Sequence, residues 1–255
     1  MKGVVLAGGL GKRLWPLTKI TNKHLLPVYD KPMIYYPIQC LVNAGITDIL
    51  VVTGGNHAGG FLELLGNGGE FGLKELHYTY QVGEGGIADA LALAKDFADG
   101  EKLVVILGDN IIEKDIRRGV ANFFAQPRGA RIYLKEVPDP ERFGVPVFEG
   151  QRIVRIEEKP ARPPSRYAVT GIYMYDAQVF DFIAQLTPSQ RGELEITDVN
   201  NFYIEQGTLE WELLDGWWTD AGTIESLHRA SNLVANGGAN NVQPVMPAAE
   251  IIQVQ

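Results

Sequence analysis

Short apolar runs alternate along the chain with longer stretches in which apolar residues recur every third or fourth position. "GVVLA" (3–7), "ITDILVVT" (46–53), "LHYTYQV" (76–82) and "KLVVILGD" (102–109) predict strands. Residues about 32–44, 57–65, 86–98 and 113–125 predict helices between them. A strand, a crossover helix and the next strand of one sheet run parallel, and a parallel sheet needs helices on both faces. The first half is therefore expected to be α/β, with a Rossmann-like, mostly parallel central sheet. In such a sheet ligands bind beyond the carboxyl ends of the strands, so the loops after "GVVLA", "LHYTYQV" and "KLVVILGD" share one face.

From about residue 130 the pattern changes. "ARIYLKEV", "RIVRIEEKP" and "YAVTGIYMYD" read as strands with few helices between them, "ELEITDVNNFYIEQG" as a helix and "TLEWELLDGWW" as a strand. A last helix starts near Gly222. These elements predict a smaller β-rich part over about 126–220 that follows a first part over about 1–125, both within a single domain of residues 1–235. "PARPPS" (160–165) is a Pro-rich connection inside that domain. Residues 236–255 form a tail with one charge and many turn formers, either loose or docked on a neighbour.

The 255-residue length and 45% hydrophobic content allow one large domain with a substantial core. No run is long and apolar enough to predict a membrane span, the start shows no signal-peptide pattern, and the single Cys40 excludes an internal disulfide. The cytoplasm is the expected location. A net charge of −8 argues against nucleic acid as a partner. Yet residues 1–31 hold Lys2, Lys12, Arg13, Lys19, Lys23 and Lys31 against Asp30 alone. A basic patch on an acidic protein points to a small anionic ligand.

"VVLAGGLGKRLWPLTKITNKHLLP" (4–27) carries much of that patch and empties an apolar strand into glycines. A Walker loop would need glycine at Leu6 and Ser or Thr at Arg13, and a dinucleotide fingerprint starting at Gly9 would need glycine at Leu14. Neither fits. Gly8, Gly9 and Gly11 nevertheless let main-chain amides approach a phosphate closely. Asp109 ends an apolar strand at the ligand edge, where a carboxylate can hold a hard divalent cation or cap a helix. Gln81 also closes a strand, and its amide can both donate to and accept from one edge of a pyrimidine. Trp217 or Trp218, Tyr35 and Tyr36 read as packing aromatics.

"GGLGKRLWPLT", "NKHLLPV" and "KPMIYYP" resemble the signature of the sugar nucleotidyltransferases. The resemblance continues in order through "GGIADAL", "ILGDNI", "DPERFGV", "EEKP", "YAVTGIY", "RGELEITDVN" and "WWTDAGT", covering residues 1 to about 232. Within that family the motifs are most similar to the short-form glucose-1-phosphate thymidylyltransferases. Lys12 departs from the usual small hydroxyl residue, and His24 stands where relatives often have Gln.

The resemblance implies the nucleotidyltransferase fold, with a nucleotide-binding part over about 1–125 and a sugar-binding part over about 126–220. It also implies transfer of a thymidylyl group from dTTP to glucose 1-phosphate, giving dTDP-glucose and pyrophosphate by direct displacement with Mg²⁺. In that reading Arg13, Lys23 and Lys159 are catalytic. Gly8, Gly9, Gly11, Lys12, Arg13, Lys23, Gln81 and Gly86 bind the nucleotide. Asn110, Gly144, Glu158, Lys159, Val169, Tyr173 and Arg191 bind the sugar phosphate, and Asp109 and Asp220 hold the metal. The partners are a nucleoside triphosphate and a sugar 1-phosphate, with a homo-oligomer left open.

Thymine and uracil differ by one methyl, so a UTP-dependent uridylyltransferase stays as an alternative. A non-catalytic nucleotide-sugar sensor should lack charge at Arg13, Lys23, Asp109, Lys159 or Asp220, and all five are present. Longer relatives carry extra C-terminal helices associated with an effector site, which this chain is expected to lack.

Overall fold

The computed structural model describes residues 1–55 and 57–242. In chain order the first elements are β1 (Lys2–Ala7), β2 (Pro27–Val28), β3 (Lys31–Pro32), α1 (Tyr35–Asn43), β4 (Asp48–Gly54), α2 (Gly59–Leu65) and β5 (Glu75–Gln81). There follow α3 (Ile87–Ala92), α4 (Lys95–Ala98), β6 (Leu103–Leu107), β7 (Asn110–Ile112), α5 (Arg117–Ala125) and β8 (Ala130–Glu136). The last are β9 (Gly144–Glu149), β10 (Arg152–Glu158), β11 (Tyr167–Tyr175), α6 (Val179–Ile183), α7 (Ile196–Glu205), β12 (Leu209–Leu213), β13 (Trp218–Asp220) and α8 (Ile224–Gly237).

Seven strands form the central sheet in the order β12-β8-β11-β6-β1-β4-β5. β1 runs parallel to β4 and β6, β4 to β5, and β12 to β8, whereas β11 is antiparallel to both β6 and β8. The period of two along the strands sorts the core onto two faces. Val4, Leu6, Leu50 and Val52 pack with Leu91 of α3 and Tyr203 of α7, while Val5, Ala7, Ile49 and Val51 pack with Ile38 and Leu41 of α1. Both faces are thus covered by helices. Each fully buried aliphatic side chain contributes on the order of 1.5–3 kcal/mol, so these central strands are the rigid base on which the loops are held.

Two expected elements are divided. The helix over 86–98 becomes α3 and α4, because at Leu93 and Ala94 the backbone tightens to bonds with Ala90 and Leu91, three residues back. The strand in "TLEWELLDGWW" becomes β12 and β13 around Gly216, whose φ of 72° suits glycine. β13 then leaves the main sheet and pairs antiparallel with β7, setting Asp220 opposite Asn110. β9 and β10 form a separate antiparallel pair, and β9 includes Pro146, which a central strand would not tolerate. α8 starts with a capping box in which Thr223 and Ser226 bond each other's backbone amides. Of the tail expected from 236 onward, residues 243–255 lie outside the described residues.

Candidate active site

The loop after β1 is fixed by glycine geometry and one buried leucine. Gly9 and Gly11 have φ of 91° and 61°, and Gly11 opens a short helical turn, Lys12–Leu14, that buries Leu14 completely. Thr18 Oγ1 closes the loop by donating to the Gly11 carbonyl at 2.9 Å. Leu14 pointing inward leaves Arg13 facing a cavity of about 270 Å³ that is also lined by Gly8, Gly9, Lys23, Gln81, Gly86 and Asp109. Lys12 lies outside that lining, and its exposed ammonium pairs with Glu84 at 2.6 Å.

Lys23 stands on a second short turn, Lys23–Leu25, capped by Asn22, whose side chain accepts from the His24 amide and donates to the Gly54 carbonyl. The buried His24 imidazole has Nδ1 2.8 Å from Asn22 Oδ1. Burial first and the neighbouring Lys23 charge second push its pKa down to about 3, so the ring is neutral at ordinary pH.

Gln81, at the end of β5, is 5% exposed and already bonded within the protein. Its Nε2 donates to the Gly86 carbonyl at 3.1 Å and to Asp89 Oδ2 at 2.7 Å. Its Oε1 lies over Gly8, where a Cβ would stand only 2.7 Å away.

A second cluster of charges is assembled by the β7–β13 ladder. Asp109 follows β6, its carbonyl accepts from the Ala221 amide at 2.8 Å, and its neighbour Asn110 pairs with Asp220. Lys23 Nζ donates to Asp109 Oδ2 at 2.6 Å. Burial alone would raise the Asp109 carboxyl, but the Lys23 ammonium outweighs it and holds the group below the usual carboxylate range. Asp220 goes the other way, raised by burial and then by the like charge of Asp109.

A Cβ built on Gly222 would lie 3.1 Å from Asp220 Oδ2, 3.3 Å from Arg13 Nη2 and 3.5 Å from Asp109 Oδ2. Two mutually repelling buried carboxylates thus face one small open point, a donor set that suits a hard divalent cation.

A second cavity of about 160 Å³ opens on the other side of Arg13 and Asp109, which line both. Asn110, Gly144, Glu158, Lys159, Val169, Tyr173 and Asp220 are in its lining. Glu158 Oε2 accepts from Thr197 Oγ1 at 2.5 Å, and Lys159, in left-handed backbone at φ 44°, donates its main-chain N–H to the Phe143 carbonyl. Asn110 Oδ1 accepts from the Gly171 amide and from Trp218 Nε1, and its Nδ2 bonds Asp109, so this side chain cross-links the site. Arg191 lies outside the lining, clasped by Glu195 at 2.8 Å and within 3.3 Å of Glu158.

Several side chains of the site escaped the sequence reading. Arg142 stands in the quoted "DPERFGV", lines the second cavity and pairs with Asp220 at 3.0 Å and Asp139 at 2.8 Å. Asp89 and Thr197 likewise sit inside quoted motifs, and only their contacts single them out. Asp48, Glu75 and His77 also cluster, with His77 Nε2 3.0 Å from Glu75 and 3.5 Å from Asp48. That group lies at the amino-terminal ends of β4 and β5, away from the carboxyl ends that build the two cavities.

One protein-family model, described as nucleotidyl transferase, matches residues 2–237. A glucose-1-phosphate thymidylyltransferase of Neisseria meningitidis is 47% identical over 92% of this chain and 82% of its own length. Another, of Xanthomonas campestris, is 45% identical over 91% of this chain and 80% of its own. A solved structure from Bacillus anthracis, described as a candidate glucose-1-phosphate thymidylyltransferase with a bound sucrose, is 53% identical at a TM-score of 0.87, covering 92% of this chain and 96% of that one. A UDP-glucose pyrophosphorylase structure, at 24% identity and a TM-score of 0.79, shares the fold. Among the described residues no helix is long and apolar enough to cross a membrane. With the family model spanning nearly the whole described chain and relatives well above 40% identity, the chain belongs to the nucleotidyl transferase family.

Proposed function

We propose that this protein transfers the thymidylyl group of dTTP to glucose 1-phosphate, releasing pyrophosphate and dTDP-glucose. The observation that carries this reading is two adjoining cavities whose shared wall includes Arg13 and Asp109, so that two phosphorylated substrates can meet there. The names of relatives at 45–47% identity supply the substrates.

A non-bridging oxygen of the sugar phosphate attacks the α-phosphorus of the triphosphate. The bond to the bridging oxygen breaks, and its electron pair leaves with pyrophosphate. Positioning and charge neutralisation suffice for this displacement. Arg13 and the amides of the glycine loop hold the leaving phosphates. Lys23 sits beside Asp109 to neutralise the α-phosphate, and Lys159 holds the sugar phosphate, with Glu158 accepting from a sugar hydroxyl. Gly144, Val169 and Tyr173 shape the sugar pocket, and Arg191 stabilises Glu158 and its surroundings. Asp109 and Asp220 would hold Mg²⁺, which when bound polarises the phosphoryl oxygens. Gln81 and Gly86 read the base. The cytoplasm, where nucleoside triphosphates are abundant, is the location these substrates require.

The test is a matrix of dTTP, UTP, GTP and CTP against glucose, galactose and mannose 1-phosphates, with pyrophosphate release as readout. Highest turnover for dTTP with glucose 1-phosphate supports the proposal. A clear preference for UTP moves the protein to uridylyl transfer, and no turnover with any pair removes the enzymatic reading.

A further inference from the structure

The carbonyl oxygen and the amide nitrogen of a glutamine have nearly the same shape, so a base-reading glutamine is specific only if something fixes which end faces the base. In this site both Nε2 hydrogens of Gln81 have acceptors, the Gly86 carbonyl at 3.1 Å and Asp89 Oδ2 at 2.7 Å. A main-chain carbonyl and a carboxylate only accept, so the amide cannot rotate without setting its oxygen against two oxygens. Gln81 Oε1 is thereby turned toward Gly8 on the wall of the first cavity. Gly85 makes room for this arrangement, since a Cβ there would collide with the Asp89 carboxylate.

We propose that Asp89 is the positioning residue of base selection, fixing Gln81 so that it offers the nucleotide an acceptor and no donor. An acceptor at that place matches the imide N3–H of thymine or uracil. It opposes cytosine, whose N3 carries a lone pair. Asp89 itself need not touch the nucleotide. This inference rests on Gln81 being the base reader, and it adds the reason why one end of that side chain is presented.

The experiment measures kcat and KM for dTTP and dCTP with glucose 1-phosphate in the wild type and in Gln81→Ala, Asp89→Ala and Asp89→Leu. Freed from Asp89, Gln81 can turn its amide to cytosine. Both Asp89 variants should therefore lower the dTTP-to-dCTP ratio of kcat/KM at least fivefold, by raising KM for dTTP while kcat stays within about threefold. Asp89→Leu, close to the wild type in shape but without an acceptor, carries the test should Asp89→Ala fold poorly. A ratio held within twofold in both Asp89 variants, or an equal loss for both nucleotides, overturns the proposal if Gln81→Ala lowers the ratio. A ratio unchanged in Gln81→Ala removes the base-reading role of Gln81, and with it this inference.

Discussion

Lys23 Nζ donates to Asp109 Oδ2 across 2.6 Å, with both side chains largely buried, and so joins the loop after β1 to the end of β6. The bond sets a cation and a carboxylate side by side where the two cavities meet. A phosphate and a divalent cation arriving together can each take one member of the pair, so little charge is left uncompensated during the exchange.

Asp109→Asn and Asp220→Asn should each lower kcat/KM at least ~100-fold while the protein stays folded, because a Lewis-acid cation contributes several kcal/mol at a phosphoryl group. Circular dichroism and steady-state rates check this. Asp220→Asn should change stability at pH 7 by no more than about 1 kcal/mol, since burial and Asp109 disfavour its charge while Arg142 pairs with it. Full turnover in either variant contradicts the two-carboxylate assignment.

Gly222→Ala tests the open point between those carboxylates. Its φ lies outside the left-handed region, so alanine strains no backbone, yet the methyl would crowd Asp220, Arg13 and Asp109. A fall in kcat of tenfold or more is expected, with stability changed by no more than about 1 kcal/mol. Wild-type rates in Gly222→Ala would mean that the point is not used in the reaction.

Arg13 and Lys12 are adjacent cations with different surroundings. Arg13 lines both cavities, whereas Lys12 is paired with exposed Glu84. Arg13→Ala should cost roughly 2–4 kcal/mol of transition-state stabilisation, as for loss of one preorganised donor. Lys12→Thr should stay within about threefold of the wild type, because an exposed ion pair contributes about 0–1 kcal/mol. Kinetics showing the reverse order would place the other side chain on the triphosphate.

His24 gives a pH signature. Folding lowers its pKa from 6.5 to about 3, so between those values the unfolded chain binds a proton that the folded chain does not. The stability tied to the neutral ring is complete above pH 6.5 and is lost as the pH falls toward 3. At pH 4.5 the loss is on the order of 3 kcal/mol, at about 1.4 kcal/mol per pH unit. His24→Gln should show a correspondingly shallower fall in urea-unfolding free energy between pH 6.5 and 4.5. Parallel curves for the two proteins contradict a neutral, buried His24.

The parallel half of the fold was legible because β1, β4 and β6 are largely continuous apolar runs that end in, or are followed at once by, glycine. β9 was not, since Pro146 and a single antiparallel partner give it no such run. The division of β12 from β13 depends on the turn at Gly216 and on pairing with β7, a contact across more than a hundred residues that no local pattern carries. For the candidate site, Asp109 was singled out by its strand end, and Arg13 and Lys23 only by the family resemblance. Arg142 and Asp89 were not, because an arginine or aspartate inside a polar motif looks like a solvated charge until its partners, Asp220 and Gln81, are placed beside it.

The central claim is thymidylyl transfer by direct displacement between two substrates held in adjoining cavities. Phosphorus NMR of the purified protein with dTTP, glucose 1-phosphate and Mg²⁺ tests it most directly. The account predicts dTDP-glucose and pyrophosphate appearing in equal amounts, no reaction of dTTP when glucose 1-phosphate is left out, and inversion at an α-phosphorus made chiral by sulfur. Retention of configuration, or hydrolysis of dTTP without the sugar phosphate in place of transfer, would contradict it.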